Sequence, residues 1–160
     1  MIDSAIVRAH QHSAGAKKSH YKQAIGRSVA GLSIKNHVLT DTTGRPIAFH
    51  LTGRAAHDLQ EAGVLLGKVD ASRLLADNAC WAKERVIDKL KAKNYIAVIP
   101  AKSNVKNKQI YDKQVYKMKH LIENFFARLK QYRAITTRYD KLDTNFLRGV
   151  YLAALSSWAI

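Results

Sequence analysis

The sequence predicts an α/β fold in which a mixed sheet is covered by helices. Three observations carry that expectation. Short β-rich or apolar runs stand at 2–7, 32–41, 47–51, 73–76 and 95–100. Stretches with helical period, 56–69 and 79–94, separate the later runs, and two more, about 114–133 and 142–158, close the chain. With 160 residues, 47% of them hydrophobic, the chain is long enough for one domain with a real core and too short for two ordinary ones.

The first run, IDSAIV, follows the opening methionine at once, so the domain is expected to begin inside its first strand, with an upstream region absent. Residues 8–31 hold three histidines, three lysines and two arginines with little periodicity and read as a basic loop. Such a loop would follow a phosphate backbone; a solvated insertion without function is the other reading. LSIKNHVLTD alternates as a strand and runs into TTGRP, where Gly44 and Pro46 serve a turn, and Ile47 to Leu51 is its hairpin partner. In AHDLQEAGVLLGKV, residues His57, Leu59, Ala62, Leu65 and Leu66 mark one helical face despite Gly63. RLLA and YIAVIP are short central strands, ended by Asp77 and Pro100, with ACWAKERVIDKLKAKN as a helix between them. The final segment, FLRGVYLAALSSWAI, is apolar, yet it is short and carries Arg148, which predicts a buried helix rather than a membrane span.

Charge narrows the function. There are 27 Lys and Arg against 12 Asp and Glu, a net of +15. Such a field selects a polyanion, most commonly nucleic acid, although an anionic membrane surface or a basic structural role would give the same number. The single cysteine, Cys80, excludes an internal disulfide and a thiolate metal cluster. His10 and His12 lack two further ligands for a zinc site.

Because carboxylates are scarce, each has to be accounted for. Asp41 belongs to a turn, Asp70 to a connector, and Asp112 to a helix cap. Asp140 and Asp143 flank the last helix start, while Asp58, Glu61, Glu84 and Asp88 fall on outer helix faces. Three remain: Asp3 within a strand, Asp77 at the end of a central one, and Glu123 beside the aromatic core of a helix. Carboxylates in apolar surroundings need partners or cations. Convergence of the three would hold two divalent cations about 3.5 to 4 Å apart, with Mg²⁺ or Mn²⁺ matching the hard oxygen ligands. Strand-end aspartates are also common caps, so spacing alone leaves both readings open.

The stretch YKMKHLIENFFARLK, residues 116–130, places Tyr116, Lys119, Glu123 and Lys130 on one broad helical face, a carboxylate in a basic field. Their spacing resembles the Tyr-Arg-Glu-Lys signature of DDE transposases of the IS4 superfamily, with Lys119 in the arginine position. Similarity to the IS5 family extends through IDSAIVRAHQH, the hairpin GLSIKNHVLTDTTGRPIAFHLTGRAAHD, LLAD, and IENFFARLKQYRAITTRYDKL. The resemblance implies an RNase H-like mixed sheet flanked by helices. It implies Asp3, Asp77 and Glu123 as catalytic, metal-binding carboxylates, with Mg²⁺ (or Mn²⁺) as cofactor. The implied chemistry is hydrolysis of phosphodiesters at transposon ends, then attack of the freed 3′ hydroxyl on target DNA.

Further roles follow from the same resemblance. Lys130 would contact phosphate near the cut, Lys119 would steady the terminal phosphate or Glu123, and Tyr116 would stack on or bond to the DNA end. Lys35 and Arg128 join them as candidate DNA contacts. For each, an ordinary solvated or packing role is the alternative. The implied partners are double-stranded DNA, a second copy of the chain on that DNA, and the product of an upstream frame. The implied location is the bacterial cytoplasm, at the nucleoid when DNA-bound, with no membrane partner. Two departures stand out. The family's Asp-Arg-Gly-Tyr-Asp is replaced after Asp77 by Asn78, Ala79, Cys80 and Trp81, and the N-terminal end-recognition region is expected to be absent. A catalytically inactive, basic DNA-binding remnant is therefore the competing reading. An unrelated RNA-binding structural protein is a third.

Overall fold

The computed structural model describes residues 1–14, 23–29, 31–53, 64–65, 67, 72–77, 95–100 and 111–158. The helices expected over 56–69 and 79–94 and the altered segment 78–81 lie wholly or mostly outside them. Within them the chain is a mixed α/β fold, a sheet flanked by helices.

The sheet is built on the alternation visible in the sequence. Strand β1 (Ile2–Ala9) pairs antiparallel with β3 (Gly31–Thr40), from Ile2 opposite Leu39 to Arg8 opposite Ser33. Strand β4 (Pro46–Gly53) pairs antiparallel with the remainder of the other edge of β3, and β2 (Gly26–Ser28) with its beginning. A two-residue strand, β7 (Thr137–Arg138), lies parallel to Arg8 and Ala9. β5 (Arg73–Leu75) and β6 (Ile96–Val98) form a separate parallel pair. Its residues alternate between the two cores of the molecule: Leu75 and Val98 enter one, Leu74, Ala76, Ala97 and Ile99 the other.

The stretch expected as a loop over 8–31 needs correction at both ends. β1 continues to Ala9, followed by a 3-10 turn at Gln11–Ala14, and Gly26–Ser28 is already sheet. Three-residue pairings carry too little alternation to be read from sequence.

The terminal helices differ as well. The expected helix over 114–133 is three pieces: α1 (Lys113–Lys117), α2 (His120–Leu129) and α3 (Arg133–Thr136). At the first break Met118 and Lys119 donate their amides to Val115 and Tyr116, bonds of three-residue span that tighten the chain by one step before it resumes. α2 buries Ile122, Phe125, Phe126 and Leu129 against Val7, Ile34, Val38 and Phe49 of the sheet. α4 (Asp143–Trp158) adds Phe146, Val150, Ala153 and Ala154 to the same core. It was expected to be buried; only that stripe is. Leu152, Leu155 and Trp158 are 67%, 60% and 54% exposed, because a 3.6-residue period turns them away from the sheet.

The β3–β4 turn fixes α2 from below. Asp41 Oδ1 accepts from the amides of Thr43 and Arg45 and from the Thr43 hydroxyl, as its turn assignment predicted. Burial opposes its charge, but these bonds and the Arg45 guanidinium outweigh it and hold the carboxyl below its usual range. Gly44 adopts φ +82°, and a Cβ there would stand 3.0 Å from Leu121 Cβ at the start of α2. Gly44→Ala therefore combines left-handed strain with a collision at the helix that carries Glu123. The expected loss is about 2 kcal/mol, read as a lower denaturant midpoint at unchanged slope.

Candidate active site

Asp3 is on the face of β1 that looks toward α2, because it stands opposite Val38, a core residue of that face. The side chain reaching over it is Lys119. Its Nζ donates to Asp3 Oδ2 at 3.2 Å and to Glu123 Oε1 at 2.9 Å. Asp3 Oδ1 accepts from the Ser4 amide at 2.8 Å. Thus two carboxylates from opposite ends of the chain share one ammonium, and the contact to Asp3 spans 116 residues.

The two limbs of this bridge are unequal. Lys119 and Asp3 are only 12% and 20% exposed, whereas Glu123 is 59% exposed. Water screens the Glu123 limb, so it adds little to stability. Its order along the helix, Lys before Glu at i,i+4, is also the weaker of the two arrangements. Helix stability therefore does not explain the cluster. Glu123 does not lie in apolar surroundings as expected; it opens to solvent, in the first turn of α2 where the helix dipole favours negative charge.

Asp77 lies just past β5, as its strand-end assignment required. Its charge acts on both Lys119 and Tyr116. Burial disfavours the Lys119 cation, but Glu123, Asp3 and Asp77 together overcome that and raise its pKa above the usual lysine value. For Tyr116, burial first and Asp77 second push the phenol upward, against Lys119. Its ring meets Tyr111 edge-on at 5.5 Å.

Lys130 ends α2 and is exposed, as is Arg128 in its last turn. Lys35 stands opposite Ile6 and Thr52, on the sheet face away from Asp3, so it is not part of this cluster. Sequence alone could not place it: the face depends on register between strands. His120 Nδ1 lies 2.7 Å from the Lys117 carbonyl, a local contact at the helix start. His10 stacks on Tyr139 and meets His12 edge-on.

Arg138 escaped the sequence reading. It is fully buried, donating Nε to the Asp140 carbonyl at 2.9 Å and Nη2 to the Lys141 carbonyl at 3.3 Å, over the Phe146 ring. Burial lowers its pKa against the pull of Asp143 and Asp140. No spacing rule distinguishes it from the solvated arginines of this basic chain.

Among the described residues no three His, Cys, Asp or Glu side chains stand together closely enough to hold a metal ion. The Asp3 and Glu123 oxygens nevertheless fit a hard cation in kind: they already share a positive charge at hydrogen-bond distance.

Comparison with known proteins gives the family. A family model described as "Transposase DDE domain" matches residues 1–158. The chain belongs to the DDE transposase-domain family. It is 34% identical over 131 residues to a Brucella ovis protein named "Putative transposase for insertion sequence element IS6501", a match covering 79% of this chain and 98% of that one. No solved structure matches. Among the described residues no helix is long and apolar enough to cross a membrane.

Proposed function

We propose that this DDE-family chain is an RNase H-like catalytic domain of an IS5-type transposase, cutting phosphodiesters at transposon ends and joining the 3′ ends to target DNA. The observation that carries the reading is the meeting of Asp3 and Glu123 on Lys119, under the charge of Asp77. Asp3 and Glu123 would hold Mg²⁺ or Mn²⁺, with Asp77 completing the ligand set. The bound ion would supply activation of the attacking oxygen and stabilisation of the leaving 3′ oxygen.

The chain's own residues would do the rest. Lys119, beside the acidic pair, and Lys130 and Arg128, exposed at the far end of the same helix, would offer positive charge to position the DNA backbone, and Tyr116 would offer a ring and hydroxyl to the DNA end. Net charge of +15 would draw the duplex in and make binding steeply salt-dependent. Assembly as a homo-oligomer on DNA and action in the bacterial cytoplasm belong to the same reading.

The test is cleavage of a transposon-end duplex by the purified chain, in Mg²⁺ and in Mn²⁺. Metal-dependent nicking supports catalysis. DNA binding without nicking in either metal overturns it and favours the second reading, a DNA-binding remnant, which the altered segment after Asp77 motivates. Lys130→Ala should weaken binding across sequences and reduce the slope of log affinity against log salt by about one. A fluorescence-anisotropy salt titration reads that slope, and an unchanged value removes Lys130 from the phosphate contacts.

A further inference from the structure

We propose that Lys119 is a built-in counter-ion for the Asp3 and Glu123 pair, displaced when a divalent cation binds, with a DNA phosphate taking up the released ammonium. The proposal rests on the reading of that pair as cation ligands and adds the order in which the site loads. An ammonium held at 2.9 and 3.2 Å from the two carboxylates occupies the ground a cation would need. Without it, two negative groups would face each other in a site where Asp3 is largely sheltered, an arrangement that costs free energy unless a cation replaces the lost charge.

The side chain is suited to leaving. A lysine ammonium is a point charge on a flexible four-carbon stem, whereas a guanidinium would grip a carboxylate through a planar fork. Glu123 opens to solvent, so the exit from the bridge runs toward the surface where DNA would approach. A phosphate arriving there offers the ammonium a new anion as the cation claims the old ones. Cation and DNA then bind each other's prepared state, and by linkage each strengthens the other by the same factor. The site would hold cations only weakly until DNA is present.

Calorimetric titration of Mn²⁺ into the full chain tests this, with and without a short duplex, and with Glu123→Gln as the baseline for cations held elsewhere. The wild-type protein should bind weakly alone and about tenfold or more tightly with duplex. Lys119→Met and Lys119→Gln should bind Mn²⁺ about ten- to a hundredfold more tightly without DNA and lose most of the duplex effect. Equal affinity in wild type and both variants, erased by Glu123→Gln, would keep the cation site and overturn the counter-ion. A duplex effect undiminished in the variants would assign the coupling to phosphate ligation of the ion, and also overturn it. Absence of Mn²⁺ binding in every protein, with and without duplex, would remove the cation reading itself. If neither variant folds, Lys119→Arg decides: its planar fork should hold the carboxylates more firmly and weaken Mn²⁺ binding without duplex relative to wild type, and equal affinity rejects the proposal.

Discussion

Glu123→Gln is expected to lower metal-dependent strand cleavage by about a thousandfold or more while leaving duplex affinity without divalent metal within about twofold. The substitution keeps the shape and one hydrogen-bond acceptor but removes the charge that a divalent ion would require. Because Glu123 is more than half exposed and screened, its loss should scarcely change the melting temperature. That separation of activity from stability is the signature of a functional carboxylate. Asp3→Asn and Asp77→Asn should show the same loss of cleavage. Single-turnover nicking with a labelled end duplex, beside anisotropy binding, measures both quantities. Cleavage within tenfold of wild type in the Glu123 variant would take that residue out of the chemistry.

Arg138→Ala is expected to cost about 3 to 5 kcal/mol, a fall in melting temperature of about 6 to 20 °C. Two opposing effects decide the size. Burying a guanidinium is unfavourable, as its lowered pKa shows, and Nη1 has no hydrogen-bond partner. Against that, the side chain fills a fully buried volume and satisfies the carbonyls of Asp140 and Lys141. Truncation to alanine opens a cavity and orphans both carbonyls, and those terms outweigh the relief of desolvation. Arg138→Met keeps most of the volume and sheds the charge, so it should lose about half as much. Since β7 pairs with the end of β1 and His10 donates its amide to the Arg138 carbonyl, the damage should spread to the strand carrying Asp3. Thermal melts of the two variants rank the terms: equal losses would assign the effect to charge rather than volume.

What could be read from the sequence follows the range of the forces involved. Local signals transferred well. Alternation located β1, β3 and β4, Asp41 and Asp112 occupy the turn and cap that their types predicted, and Gly44 sits at a positive φ. The spacing of Lys119 and Glu123 put them on one face, and they bond. Tertiary consequences did not transfer. The sheet face that Lys35 occupies, opposite to that of Asp3, follows from the register of β1, β3 and β4 and not from its position in the sequence. The tight step at Met118 and Lys119 and the exposed stripe of α4 depend on what packs nearby, not on propensity. Arg138 is a charged residue in a chain full of them; only its two carbonyls and the Phe146 ring explain its burial. Resemblance to a family named the acidic residues, but the ammonium standing between two of them belongs to the folded geometry.

The most direct test locates the ion itself. X-ray diffraction from the chain bound to an end duplex in Mn²⁺, with anomalous scattering to mark manganese, should place a peak bound by Asp3 and Glu123. Lys119 Nζ should then lie on a DNA phosphate. A complex in which Lys119 still bridges the two carboxylates, with manganese bound elsewhere, would contradict the account.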